Sequence, residues 1–174
     1  DMTRQDFVSS MRRSDTQAPL PQEEIWTLLN RFFDGQMHRQ TAVAGAIESM
    51  NALREVADVV VLTNLMDFRQ ESRMQQLLSH GLDVRVFTNQ GPKGPALQRI
   101  LDEYRPSRAV FIDDLPQHHD SVAGMSPQVA RLHLCAEPQI SDRIVCAHKA
   151  GHADARIDNW DEALPWIRQQ LHVA

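Results

Sequence analysis

The chain has 174 residues, 42% of them hydrophobic and 24% charged, a length and balance that suit one globular domain or a domain with a small helical lobe and that exclude disordered and fibrous architectures. Eighteen Lys and Arg against 23 Asp and Glu give a net charge of −5, and the basic residues are too scattered to form a nucleic-acid stripe. No apolar run approaches the roughly 20 residues that a membrane span requires.

The first third reads as helix. Thr3, with Asp6 three residues on, resembles an N-terminal cap ahead of Phe7, Val8 and Met11. After the breaker Ala18-Pro19-Leu20-Pro21, the pair Glu23-Glu24 opens a second helix with Ile25, Leu28, Leu29, Phe32 and Phe33 as its apolar stripe and Gly35 as its stop. A third helix starts near Thr41 and turns Val43, Ile47, Met50 and Leu53 inward. At Val59 the period changes, because Val59-Val60-Val61-Leu62 is a continuous run of the kind buried on both faces of a sheet.

A helix with Met74, Leu77 and Leu78 inward then ends at Gly81, and a strand Val84-Arg85-Val86-Phe87 follows. Next come a helix with Leu97, Ile100, Leu101 and Tyr104 inward, a strand Ala109-Val110-Phe111-Ile112, a short helix, and a strand around Leu132-His133-Leu134-Cys135. The stretch from Glu137 to Asp158 carries no clear period, and a last helix runs from about Asp161 to Leu171 with Pro165 in or near its first turn. Strands alternating with helices predict an α/β domain over residues 51–174, with a parallel sheet, helices on both faces and right-handed crossovers. Residues 1–50 form a helical segment ahead of it.

In open parallel sheets, polar groups gather where the strands exit, because loop amides and helix N-termini converge there. The first strand exits into Thr63-Asn64, the second into Thr88-Asn89-Gln90-Gly91-Pro92-Lys93-Gly94-Pro95, and the third into Asp113-Asp114. Singly, Thr63 reads as a helix cap and Lys93 as a solvated turn residue. Two adjacent carboxylates after a buried strand repel one another unless a cation or donors neutralise them. Together these positions suit phosphoryl transfer. Asp113 and Asp114 offer hard oxygen ligands for Mg²⁺, Thr63 a donor to a phosphoryl oxygen, and Lys93 a charge to offset the transferring group. Receiver domains combine similar residues, but their acids precede the Thr and the Lys; here the acids come last.

These segments resemble the haloacid dehalogenase-like hydrolase superfamily, mostly phosphatases and phosphotransferases. Val59-Val60-Val61-Leu62-Thr63-Asn64 is similar to its second motif, Gly91-Pro92-Lys93-Gly94-Pro95 to its third, and Val110-Phe111-Ile112-Asp113-Asp114 to its fourth, a likeness covering about residues 56 to 135. The resemblance implies a three-layer Rossmann-like fold and a catalytic set in which Thr63 and Asn64 hold the phosphoryl group, Lys93 stabilises nucleophile and intermediate, and Asp113 and Asp114 bind Mg²⁺. The expected substrate is a small phosphorylated compound, and the expected partners include no nucleic acid and no membrane.

Two departures accompany it. Where the family often has another acid or Asn after the double Asp, this chain has His118, His119 and Asp120. The first motif, Asp-x-Asp-x-Thr at the end of a central strand, has no counterpart, since Asp1, Asp6 and Asp15 follow no apolar strand. In the family that strand lies between those exiting at Thr63 and Asp113. The opening Asp1-Met2 therefore suggests an upstream strand bearing the nucleophile; the alternative is an inactive binding or interaction protein built on the same scaffold. With the strand upstream, residues 1 to about 50 resemble the family's cap, where Arg4, Arg12, Arg13 and Trp26 could face a ligand; the plainer reading makes them surface arginines and a core tryptophan.

Two cysteines, Cys135 and Cys146, with no signal-type leader, fit a reducing compartment, the cytoplasm. His133, Cys135, Cys146, His148 and His152 contain zinc-type ligands, but their spacing matches no established zinc pattern, and free cysteine is the simpler expectation.

Overall fold

The computed structural model describes residues 11–138 and 141–173. The helix expected at Thr3 lies outside them but for Met11. The chain divides into two compact units, residues 1–41 and 42–174.

In the first unit, Arg12 and Pro19 form an antiparallel bridge across a turn in which Gln17 takes a positive φ of 57°. Helix α1, Gln22–Gln36, follows Pro21 and carries Glu23 and Glu24 in its first turn, where acids complement the helix dipole. It passes through Gly35 into a short 3₁₀ turn at Met37–Arg39. Ile25 is buried, whereas Leu28 and Phe32 of the expected stripe are exposed.

The second unit is the α/β domain. Its elements in chain order are α2 (Ala46–Arg54), β1 (Val60–Thr63), α3 (Gln70–Ser79), β2 (Arg85–Thr88), α4 (Gly94–Tyr104), β3 (Val110–Asp113), α5 (Pro116–Met125), β4 (Ala130–Leu134), β5 (Ala155–Ile157) and α6 (Trp160–Leu171). All strand pairs are parallel, but they form two sheets, β1-β2 and β3-β4-β5. The helix expected from Thr41 begins at Ala46, after Gly45 turns with a φ of 75°, and it belongs to this unit.

Alternation along β3 assigns the layers. Val110 and Ile112 pack with Leu53 of α2, Leu132 and Leu134 of β4, and Ala163 and Ile167 of α6. Phe111 points the other way, into a cluster with Leu97 of α4 and Val122 of α5. Helices therefore cover both faces, as the strand and helix rhythm predicts, in a Rossmann-like layout. Leu62 of β1 packs on the second cluster, which joins the two sheets.

The capping is local chemistry. The Asn159 side chain accepts from the Glu162 amide at 2.8 Å and donates to the Glu162 carboxylate at 3.0 Å, a reciprocal cap that starts α6. Pro116 occupies the first position of α5, where a missing N–H costs nothing. Pro165 lies deeper than expected, inside α6 and past its first turn.

Three further differences have physical reasons. All four residues of β1 are only half buried, because among the described residues the strand is laddered on one edge alone, by β2. Leu78 is 51% exposed, while the polar Gln76 is buried and takes a hydrogen bond from Arg73 at 2.6 Å. The unreadable stretch holds β5, only three residues long and too short to set a period. Among the described residues no helix is long and apolar enough to cross a membrane.

Candidate functional site

Side-chain contacts join the ends of β1 and β2 through Asn64 and Asn89, and the ends of β2 and β3 through Lys93 and Asp113; among the described residues the Thr63 hydroxyl takes part in neither. Parallel register pairs Thr63 with Thr88, so the two strands end level and their exit loops lie side by side. The Asn89 amide donates to the Thr63 carbonyl at 2.9 Å, and the Asn89 side chain donates to Asn64 Oδ1 at 2.9 Å and to the Gly91 carbonyl at 3.1 Å. Asn64 in turn donates to the Gly91 carbonyl at 3.0 Å. Gly91 turns with a φ of 97°, a conformation open to a residue without a β-carbon. This mesh fixes the loop that delivers Lys93. The Thr63 hydroxyl makes no hydrogen bond among the described residues.

Lys93 Nζ lies 2.5 Å from Asp113 Oδ2, with the two side chains 12% and 4% exposed. The other Asp113 oxygen accepts the Leu115 amide at 2.9 Å. Asp113 thus has both oxygens occupied. The Asp114 side chain reaches the surface, yet the surrounding protein and then the neighbouring Asp113 push its carboxyl above the usual range. Asp114 is therefore the carboxylate of the pair with most to gain from a cation.

Helix packing sets this approach. Gly94, the first residue of α4, donates its amide to Ser121 Oγ of α5 at 3.0 Å. A β-carbon at Gly94 would come within 2.5 Å of the Ser121 carbonyl oxygen, so the two helices touch only because position 94 has none. Asn64 Nδ2 also meets His118 Nε2 of α5 at 3.3 Å, so the end of β1 is linked to the helix that follows the acids.

Three histidines contribute that the strand-end pattern does not assign. His118, His119 and His133 are all buried. His119 Nε2 is 2.9 Å from the Asp113 carbonyl and His133 Nε2 is 2.9 Å from the Asp114 carbonyl. The Ala147 amide donates to His133 Nδ1 at 3.0 Å, so Nε2 carries the proton and donates. Desolvation pushes His119 down to about 4 and lowers His133 as well, keeping both rings neutral near pH 7. The sequence signal was the His118-His119 pair in the first turns of the helix after the acids, together with a histidine inside the apolar β4 run.

His133 also lies 3.2 Å from Cys135 Sγ. Both His133 nitrogens are taken by backbone groups, however, and His148 Nδ1 contacts the Ala153 carbonyl at 3.0 Å. Among the described residues no three His, Cys, Asp or Glu side chains gather as a metal cluster, and Cys135 and Cys146 are free thiols. Of the arginines considered for ligand contact, Arg13 pairs with Glu24 at 2.5 Å and Arg12 reaches the Gln17 carbonyl at 3.4 Å; Arg4 lies outside the described residues. Trp26 is half buried.

The donor set suits a hard divalent cation. Its oxygens are carboxylates, Asp114 is the less engaged of the two, and a cation would offset both the burial and the Asp113 repulsion that raise it. A cavity of about 550 Å³ lies elsewhere, at the starts of β3 and β4, lined by Arg105, Arg108, Gln128 and Asp154 among others and by none of the strand-end residues. Comparison of the chain with protein-family models, with curated proteins and with solved structures finds no match.

Proposed function

We propose that the chain is the core of a Mg²⁺-dependent haloacid dehalogenase-like phosphohydrolase acting on a small phosphorylated compound. The observation that carries this reading is the ion pair between Lys93 and Asp113 at 2.5 Å, which joins the loop after β2 to the end of β3. On this reading the nucleophilic Asp comes from a further strand; among the described residues β1 and β3 each have one edge without a ladder, which is consistent with a strand pairing there. One carboxylate oxygen attacks phosphorus, the P–O ester bond breaks, and the substrate oxygen leaves as an alcohol after taking up a proton. Water then cleaves the aspartyl-phosphate, returning the carboxylate and releasing phosphate.

Within that reaction Thr63 and Asn64 orient the phosphoryl oxygens by hydrogen bonds. Lys93 holds positive charge against the oxygens that gain negative charge, in a pocket buried enough for the interaction to count. Asp113 and Asp114 would hold Mg²⁺, which supplies further charge neutralisation when bound. Two free thiols support a reducing compartment, the cytoplasm.

A second reading, an inactive binding module, is favoured by one observation: both Asp113 oxygens are already satisfied within the chain. Phosphate release by the intact natural protein across a panel of small phosphoesters separates the two. Activity that requires Mg²⁺ and vanishes in Asp114→Asn supports the hydrolase; full activity in Asp114→Asn rejects the metal role, and a blank panel favours the binding module.

A further inference from the structure

The peptide groups of the acid pair are held from behind by two side chains on different elements. His119, on α5, has its Nε2 at 2.9 Å from the Asp113 carbonyl. His133, on β4, has its Nε2 at 2.9 Å from the Asp114 carbonyl, and the Ala147 amide on its Nδ1 fixes it as a donor there. Both residues are 0% exposed, and their rings meet edge to face at 5.2 Å, with Phe111 on the other side of His119 at 5.3 Å.

Packing alone does not account for a histidine at 119. With Nε2 donating, Nδ1 is a bare acceptor, and it is buried with no partner among the described residues. An unpaired buried acceptor is costly, and an apolar ring between Phe111 and His133 would avoid it. What such a ring would lose is the donor to the Asp113 carbonyl.

We infer that His119 and His133 are positioning residues that orient the Asp113-Asp114 turn through its two successive carbonyls and so set the direction in which the carboxylates project. The Asp113 carbonyl shares its Cα with the carboxylate that accepts from Lys93 and from the Leu115 amide. The functional part of the inference rests on the hydrolase reading, in which these carboxylates hold Mg²⁺; the orienting part does not.

Paired substitutions separate donor from packing. His119→Phe and His133→Phe keep a ring and remove the donor; His119→Gln and His133→Gln keep an N–H near the Nε2 position and remove the ring. In the intact natural protein, amide exchange at Leu115 reads the Asp113 carboxylate directly, with the Leu132 amide as a core reference. Titration with Mg²⁺ alone reads the pair. His119→Phe should speed Leu115 exchange about tenfold relative to Leu132 while His119→Gln stays near the parent. Both Phe variants should weaken Mg²⁺ about tenfold or more, with the Gln variants substantially restored. If the Phe variants match the parent in Leu115 exchange and in Mg²⁺ affinity while the Gln variants fall, the rings act by packing and the inference is overturned. If the parent binds no Mg²⁺, the hydrolase reading falls, and Leu115 exchange alone decides whether His119 orients the turn.

Discussion

Among the described residues Lys93 and Asp113 are each the other's only charged partner within hydrogen-bond distance, and both are largely removed from water. Deleting the ammonium with Lys93→Met should therefore strand a buried carboxylate and cost about 3–5 kcal/mol in a urea unfolding measurement, with Lys93→Met/Asp113→Asn recovering much of the loss. His119 gives the fold a pH limit. Its folded form titrates near 4 against 6.5 for the free imidazole, because burial disfavours the cation. Between those values the unfolded chain binds the proton and the folded chain does not. The contribution is full above pH 6.5 and is lost as pH falls toward 4, on the order of 3 kcal/mol in all. Burial lowers His133 in the same direction. Unfolding midpoints of the parent and of His119→Phe at pH 7.5 and 4.5 check this, since the variant should lose less stability on acidification. At this scale periodicity located Thr63, Asn64, Lys93, Asp113 and Asp114 at or just after strand ends, where the structure has them. The sequence marked the histidines by their positions but not their role as donors, because their partners are backbone carbonyls.

Among the elements, α4 and α5 form the closest helix contact that bears on the site. A methyl group at position 94 would meet the backbone of Ser121, which cannot rotate away as a side chain could. Gly94→Ala should cost about 1–3 kcal/mol by overpacking and should also move Lys93 off Asp113. Thermal unfolding would report the first effect. A fall in Mg²⁺-dependent activity larger than that of Ser121→Ala, which removes the Gly94 hydrogen bond without crowding, would report the second. The elements themselves were largely legible, since each hydrophobic run in the α/β domain became a strand or helix near its expected limits. The exceptions lie where tertiary context decides. The apolar β1 run is half exposed for want of a second ladder, Leu78 gives its buried place to Gln76, and β5 is held by its pairing with β4 and by Arg156, which reaches the Ser141 carbonyl at 2.6 Å and the Ile144 carbonyl at 3.0 Å.

For the α/β domain as a whole, the layered arrangement followed from sequence rhythm, whereas the break between its sheets did not, because periodicity names strands without naming their neighbours. Among the contacts that span that break are Lys93 to Asp113, Asn64 to His118, and the apolar contact of Leu62 with the cluster of Leu97, Phe111, Val122 and Val129. One is a largely buried ion pair, one joins an amide to the His118 ring, and one is hydrophobic. Mobile ions have little access to the ion pair or the apolar contact, and the amide contact carries no charge on Asn64 for them to screen. The Debye length shrinks from about 10 Å at 0.1 M to about 3 Å at 1 M, but that screening acts through water. Sodium chloride across this range should leave the join between the two sheets nearly unchanged, whereas the surface pair of Arg85 and Glu103 should weaken. A halophilic or a dilute solvent would meet the same internal geometry.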